Sequence, residues 1–143
     1  MDPKESIGKW ISTIYRQIRI FLDRELKQFN ISSSQMLILN SIYRNDGIHQ
    51  ETISKILNLD KANITRAINK LISEGLVIRE VDKKDKRAYR LHLTKKGKQL
   101  EPEIKKILKK TTSTLLTGFT EKEKKITLEL LKKLYTNILD YNN

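Results

Sequence analysis

Lys61, Asn63, Thr65, Arg66, Asn69 and Lys70 interleave with Ile64, Ala67, Ile68, Leu71 and Ile72, which recur at helical spacing and make one apolar face. The polar set therefore points away from that face, and its chemistry is that of base recognition. A guanidinium matches the acceptors of guanine, a carboxamide matches adenine, and a threonine methyl packs on thymine. Further along, Lys83, Lys84, Lys86 and Arg87 crowd the segment Asp82–Arg87. Cations on a protruding turn reach phosphates or the narrow minor groove, where arginine is favoured. The two aspartates of that segment, Asp82 and Asp85, sit oddly among anion-binding groups. One of them is expected to hold Arg87 in a fixed orientation through a paired, charge-assisted hydrogen bond. In isolation, the first stretch reads equally as an ordinary amphipathic surface helix and the second as a solvated turn, so the case rests on what flanks them.

The flanking pattern supplies the missing context. A helix from about Glu5 to Phe29 is expected from Ile7, Ile11, Ile14, Ile18 and Phe21, widened by Trp10, Tyr15, Leu22 and Leu26. A second helix follows the serine cluster 32–34, where one serine serves as the N-cap, and carries Met36, Leu39, Ile42 and Tyr43. It stops at Asn45-Asp46-Gly47. A short helix over about Gln50–Leu57 is expected to bury Ile53, Ile56 and Leu57, and Asn58 suits the left-handed residue of the tight turn that follows. The polar helix then runs from Lys61 to about Glu74 and closes at Gly75. Leu76–Val81 and Tyr89–Leu93 alternate as the arms of a β-hairpin whose tip is the charged segment. Thr94 opens a helix to about Thr117 with Leu100, Ile104, Ile107, Leu108, Thr111 and Leu115 inward. Thr120 and Glu123 form a capping box for a last helix with Ile126, Leu130, Leu134 and Ile138. The predicted fold is mostly α with a small β-hairpin: a winged helix-turn-helix flanked by long N- and C-terminal dimerisation helices. Residues 31–97 make the DNA-binding lobe, and 1–30 with 98–143 the helical dimerisation region.

Bulk properties agree and exclude several classes. The net charge is +12, of which residues 61–93 and 94–118 each carry +5, so the basic zone coincides with the polar helix, the hairpin and the helix after them. Such a zone suits nucleic acid or an acidic membrane surface, or is simply a lysine-rich solvated surface. The absence of cysteine rules out disulfides, zinc–thiolate sites and thiol redox sensing. His49 and His92 stand on different elements, so no metal site is expected. No apolar run approaches the roughly 20 residues that cross a bilayer, and the segment containing Asp2 and Glu5 does not read as a signal peptide. A cytoplasmic location is expected, with no membrane partner. No phosphate-cradling glycine loop or nucleophile–base set is present, so neither an enzyme nor a bound cofactor is expected.

The stretch Ile64-Thr65-Arg66, Leu71, Glu74-Gly75-Leu76-Val77, then Arg79, Asp82, Asp85, Arg87 and Leu93-Thr94-Lys95-Lys96-Gly97 resembles the MarR family. That family's pattern runs thr-arg, leucine, gly-leu-val, a wing of asp-x-arg-asp-x-arg, and leu-thr-x-x-gly. The motifs span residues 64–97, and the helical layout fits over the whole chain. Lys84 departs from the pattern by replacing the wing's first arginine, keeping the charge but losing the planar fork. The resemblance implies sequence-specific binding of double-stranded DNA by the recognition helix, with Thr65 and Arg66 among its contacts. It implies minor-groove insertion of Arg87 supported by Asp85, and a homodimer joined through the terminal helices. For the last, the surplus apolar residues, among them Ile7, Trp10, Ile14, Leu130, Leu134 and Ile138, are an independent argument. It further implies a repressor released by a small phenolic or other anionic ligand, for which Tyr15, Arg16, Arg19 and Tyr43 are candidate pocket residues, although aromatics at this helical spacing more often belong to the core. The two-fold symmetry of a dimer in turn calls for a palindromic operator. Other readings of the same layout are a sequence-neutral architectural DNA-binding protein and a winged-helix protein–protein adaptor.

Overall fold

Ser6, Ser32, Asp60 and Thr120 each accept a backbone N–H three residues ahead and so start four of the six helices among the described residues. Thr94 does the same for a fifth, accepting from Gly97 N–H at 3.0 Å. The computed structural model describes Asp2 and residues 5–143. The order is α1 (Ile7–Leu26), a 3₁₀ turn (Lys27–Phe29), α2 (Ser33–Arg44), α3 (Gln50–Leu57) and α4 (Lys61–Ser73). Then come β1 (Val77–Val81), β2 (Tyr89–Leu93), α5 (Lys95–Leu115) and α6 (Glu121–Asn142). The mostly helical fold with one antiparallel hairpin is the predicted winged helix-turn-helix. The first helix ends three residues earlier than expected, where Asn30 takes a left-handed conformation (φ 56°) and turns the chain into α2.

The chain divides into two compact units, Met1–Leu108 and Lys109–Asn143. In the first, α2 and α4 supply the centre of the core: Met36, Ile38, Leu39 and Ile42 from one, Ile64, Ile68 and Leu71 from the other. Leu22 and Leu26 of α1, Ile53 of α3, Leu76, Val77 and Leu91 of the hairpin, and Leu100, Ile104 and Ile107 of α5 close around them. Ile38 was not on the face expected to be buried. It is fully covered because α2 runs through the middle of the lobe and is packed on more than one side. Ile56 goes the other way: expected inward, it is 61% exposed. The short α3 presents only Ile53 fully to the core, and Ile56 lies on the uncovered edge of its stripe. Leu115, also expected inward, is exposed at the end of α5.

Two glycines have physical reasons. Gly75 adopts φ 71° and closes α4 after Glu74. At Gly97 a Cβ would lie 2.2 Å from the Leu76 carbonyl oxygen, so α5 can cross the start of β1 this closely only with glycine there. The Tyr43 hydroxyl donates to the Gly97 carbonyl at 2.8 Å and ties α2 to the same crossing. Burial, with a smaller push from the Glu101 carboxylate, raises that phenol to about 12, so it stays a neutral donor.

In the second unit α6 begins with the Thr120–Glu123 capping box and buries none of its residues. Ile126, Leu130, Leu134 and Ile138 are all exposed.

Candidate nucleic-acid interface

The hairpin is held at its root before it offers anything at its tip. Strands β1 and β2 pair from Val77 opposite Leu93 to Val81 opposite Tyr89. Gly47 N–H donates to the Leu91 carbonyl at 2.8 Å and Leu91 N–H to Ile48 at 3.0 Å, so the loop before α3 acts as a third strand. Asp82 closes the root. Its carboxylate takes Arg90 Nε at 2.7 Å, contacts His49 Nε2 at 2.6 Å, and accepts the N–H groups of Lys84 and Asp85 at 2.7 and 3.2 Å. The hydrogen bond to His49, followed by those from the Lys84 amide, the Asp85 amide and Arg90, holds this carboxyl well below the usual carboxylate range. Arg90 also donates to the Gly47 carbonyl at 2.9 Å.

Asp82 was expected in the exposed tip, with it or Asp85 gripping the Arg87 side chain. The structure corrects this. Asp82 is 5% exposed and serves Arg90 and His49, while among the described residues the Asp85 carboxylate accepts the backbone N–H of Arg87, at 3.0 Å, and no side chain. A carboxylate two or three residues back in a tight turn faces backbone amides, whereas the Arg87 guanidinium extends past it. Among the described residues, the side chains of Lys83, Lys84, Lys86 and Arg87 have no acceptor, and all four are exposed.

On α4 the six candidate residues do not share one state. Lys61 is exposed at the N-terminus, where Asp60 accepts from Asn63 N–H at 2.8 Å. The Asn63 carboxamide is used on both sides: Nδ2 donates to Asp60, and Oδ1 accepts from Arg66. Thr65 is half-buried, and its hydroxyl meets Gln50 Nε2 of α3 at 3.4 Å. Asn69 is exposed and accepts from Arg79 of β1 at 3.0 Å. Lys70 faces the far end of the helix and is paired with Glu74 at 2.9 Å. Hydrogen bonding from that ammonium lowers the Glu74 carboxyl, which also accepts from Asn30. Lys70 thus serves the helix terminus, apart from Lys61 and Thr65.

Lys61 and Thr65 of α4, Gln50 and Lys55 of α3, and Lys84 and Arg87 of the hairpin line one cleft of about 700 Å³. It is open, polar and cationic at its outer edges, with Asp82 already neutralised at its base. Such a surface can accept a polyanion. Sequence reasoning missed Gln50 and Arg90, weighed His49 only as a metal ligand, and gave Arg79 only as a motif position. The only signal for the root was a histidine just before a short helix and an arginine inside a strand of alternating residues.

The candidate effector residues lie apart from this cleft. Tyr43 is committed to Gly97. Tyr15 is 55% exposed, and Arg19 stacks on its ring with 5.9 Å to the centroid. Among the described residues, Arg16 and Arg19 donate only to hydroxyls, those of Ser12, Thr13 and Ser34. The apolar residues expected at a dimer interface are exposed within each unit. Ile7, Trp10 and Ile14 are 46–48% accessible on α1, and Leu130, Leu134 and Ile138 are 36–55% accessible on α6. No three metal-ligating side chains come together among the described residues, and no helix is long and apolar enough to cross a membrane.

Known proteins share this arrangement. The model of the MarR family matches residues 31–89, the segment from the start of α2 to β2. The HTH-type transcriptional regulator YybA of Bacillus subtilis (strain 168) is 32% identical over 128 residues, 90% of this chain and 85% of the relative. A MarR transcriptional regulator from Methanosarcina mazei Go1 superposes with a TM-score of 0.91 at 38% identity, covering 99% of this chain and 94% of the other. A MarR family regulator from Listeria monocytogenes, solved in complex with a 26mer DNA, superposes with a TM-score of 0.87 at 34% identity over 95% of this chain and 91% of the other.

Proposed function

The chain belongs to the MarR family of transcriptional regulators, and from that membership we propose that it binds double-stranded DNA sequence-specifically as a homodimeric repressor. The observation that carries the proposal is the cleft between α4 and the wing, edged by Lys61, Lys84 and Arg87, whose side chains have no partner among the described residues. Arg66 and Asn69, exposed on the same helix outside the cleft lining, supply base-reading groups, and Lys61, Lys83, Lys84, Lys86 and Arg87 neutralise phosphates or enter the minor groove. The DNA-bound Listeria relative supports the same assignment. Burial of the exposed apolar faces of α1 and α6 against a second copy is the reading under which those faces leave water. A two-fold dimer then requires a palindromic operator with half-sites about one helical turn apart. Arg16 and Arg19, without carboxylate partners among the described residues, suit a small phenolic or other anionic effector that releases the repressor.

The test is selection of bound fragments from genomic DNA, followed by insertion of about 5 base pairs between the half-sites of the selected operator. Binding should be abolished, because one half-site rotates to the far face of the duplex. Between 50 and 200 mM salt, affinity should fall by roughly 10³–10⁵ if about 6–10 phosphates are neutralised. Indifference to the insertion, with the same salt slope on random DNA, would identify an architectural binder. No DNA binding at all would leave a protein–protein adaptor.

A further inference from the structure

The recognition helix carries two asparagines, and their surroundings differ. Asn63 has both ends of its carboxamide engaged, by Asp60 and by Arg66. Asn69 has one end engaged: its Oδ1 accepts from Arg79 Nη2 at 3.0 Å, and its Nδ2 is free among the described residues. Arg79 is itself held. Its guanidinium lies 5.4 Å from the centre of the Tyr89 ring on the paired strand, while its Nε is buried without a hydrogen-bond partner among the described residues. A guanidinium has five donors and no acceptor, so whatever faces Arg79 must turn an oxygen toward it.

Resting on the operator-binding reading above, we propose that Arg79 is a positioning residue that fixes the polarity of Asn69, presenting its amide N–H to the DNA as a donor. An unrestrained asparagine forms a two-pronged contact with adenine, donating to N7 and accepting from N6. With Oδ1 turned back to β1 that fork is lost and only the donor faces outward. The outward N–H is satisfied by guanine N7 or O6, adenine N7 or thymine O4. Cytosine, whose major-groove edge offers an N4 donor, is refused. Arg79 thereby converts an adenine-reading residue into one that excludes a single base.

The experiment measures relative affinities for the selected operator with each of the four bases at the position whose preference disappears in Asn69→Ala. The native protein should accept guanine, adenine and thymine within a few-fold and disfavour cytosine by roughly tenfold. Arg79→Met frees the carboxamide and should produce an adenine preference of about tenfold. Arg79→Lys, which keeps a donor, should restore the native profile. Arg79→Met combined with Asn69→Ala should remain flat at that position. Asn69→Asp provides a check that leaves Arg79 in place: its second oxygen faces outward, and the preference should move to cytosine. The inference is overturned if Arg79→Met keeps the native profile on an operator the native protein selects, or if Asn69→Asp gains no cytosine. It is also overturned if Arg79→Met weakens every sequence equally with a shallower salt slope, which would make Arg79 a phosphate contact. A native protein that selects no sequence at all overturns the operator-binding reading, and this inference with it.

Discussion

The root and the tip of the hairpin are separated by a few residues and built on opposite rules. At the root, Asp82 is buried and surrounded by four donors from His49, Lys84, Asp85 and Arg90. At the tip, Lys83, Lys86 and Arg87 extend into solvent with no acceptor among the described residues. Both regions are dense in charge, so the density does not distinguish scaffold from contact surface. The inventory of partners does. A charge whose hydrogen-bonding capacity is filled within the chain holds the fold, and one whose capacity is empty is available to a ligand.

Asp82→Ala tests this contrast with the largest effect. It leaves two backbone amides, the Arg90 guanidinium and the His49 ring without their shared acceptor. The thermal midpoint should fall by several degrees and DNA affinity should fall with it, measurable by calorimetry and a binding titration on one preparation. A variant with unchanged midpoint would show that the root is not held by this carboxylate.

Arg87→Ala should do the reverse. The midpoint should stay within about 1 °C, since surface groups without partners contribute little, while operator affinity drops roughly ten- to a hundredfold. Fluorescence anisotropy on the selected operator reads the loss. Unchanged affinity would remove the tip from the interface.

Acid offers a milder way to separate the two. The Asp82 carboxyl is lowered in the folded state, so its stabilising contribution is present above the ordinary carboxylate value of 3.8 and is lost progressively as pH falls below it. Thermal midpoints between pH 6 and about 2 should therefore decline more steeply in the native protein than in Asp82→Asn. Arg87→Ala should follow the native curve throughout.

The smallest effect is expected from Lys84→Arg, which restores the forked donor found at this point of the family pattern. Affinity should rise by less than about threefold with the salt slope unchanged, since the charge is conserved. A loss of affinity would mean that the cleft is fitted to the lysine.

Helix starts and stops were legible because they are local. Ser32, Thr94 and Thr120 cap within three residues, and Gly75 and Asn58 turn the chain by their own backbone preferences. The helix-turn-helix and its wing followed from those boundaries, the hydrophobic periods and the motif through Gly97. What local pattern could not supply is which side of a helix ends up covered and which polar group meets which. Ile38 is buried and Ile56 exposed because α2 is packed on several sides while α3 lies at an edge. Asp82 looked like a tip residue, because sequence distance places it beside Lys83, whereas its partners His49 and Arg90 arrive from other strands and loops. Asn69 and Arg79 lie on different elements, α4 and β1, and their hydrogen bond forms only where the helix and the strand are packed together. By itself, the sequence determined the order of elements and the inventory of polar and basic groups from which a contact surface is proposed. The tertiary structure decided which of those groups are spent on one another and which remain free, since a hydrogen bond is a matter of distance in space and not along the chain.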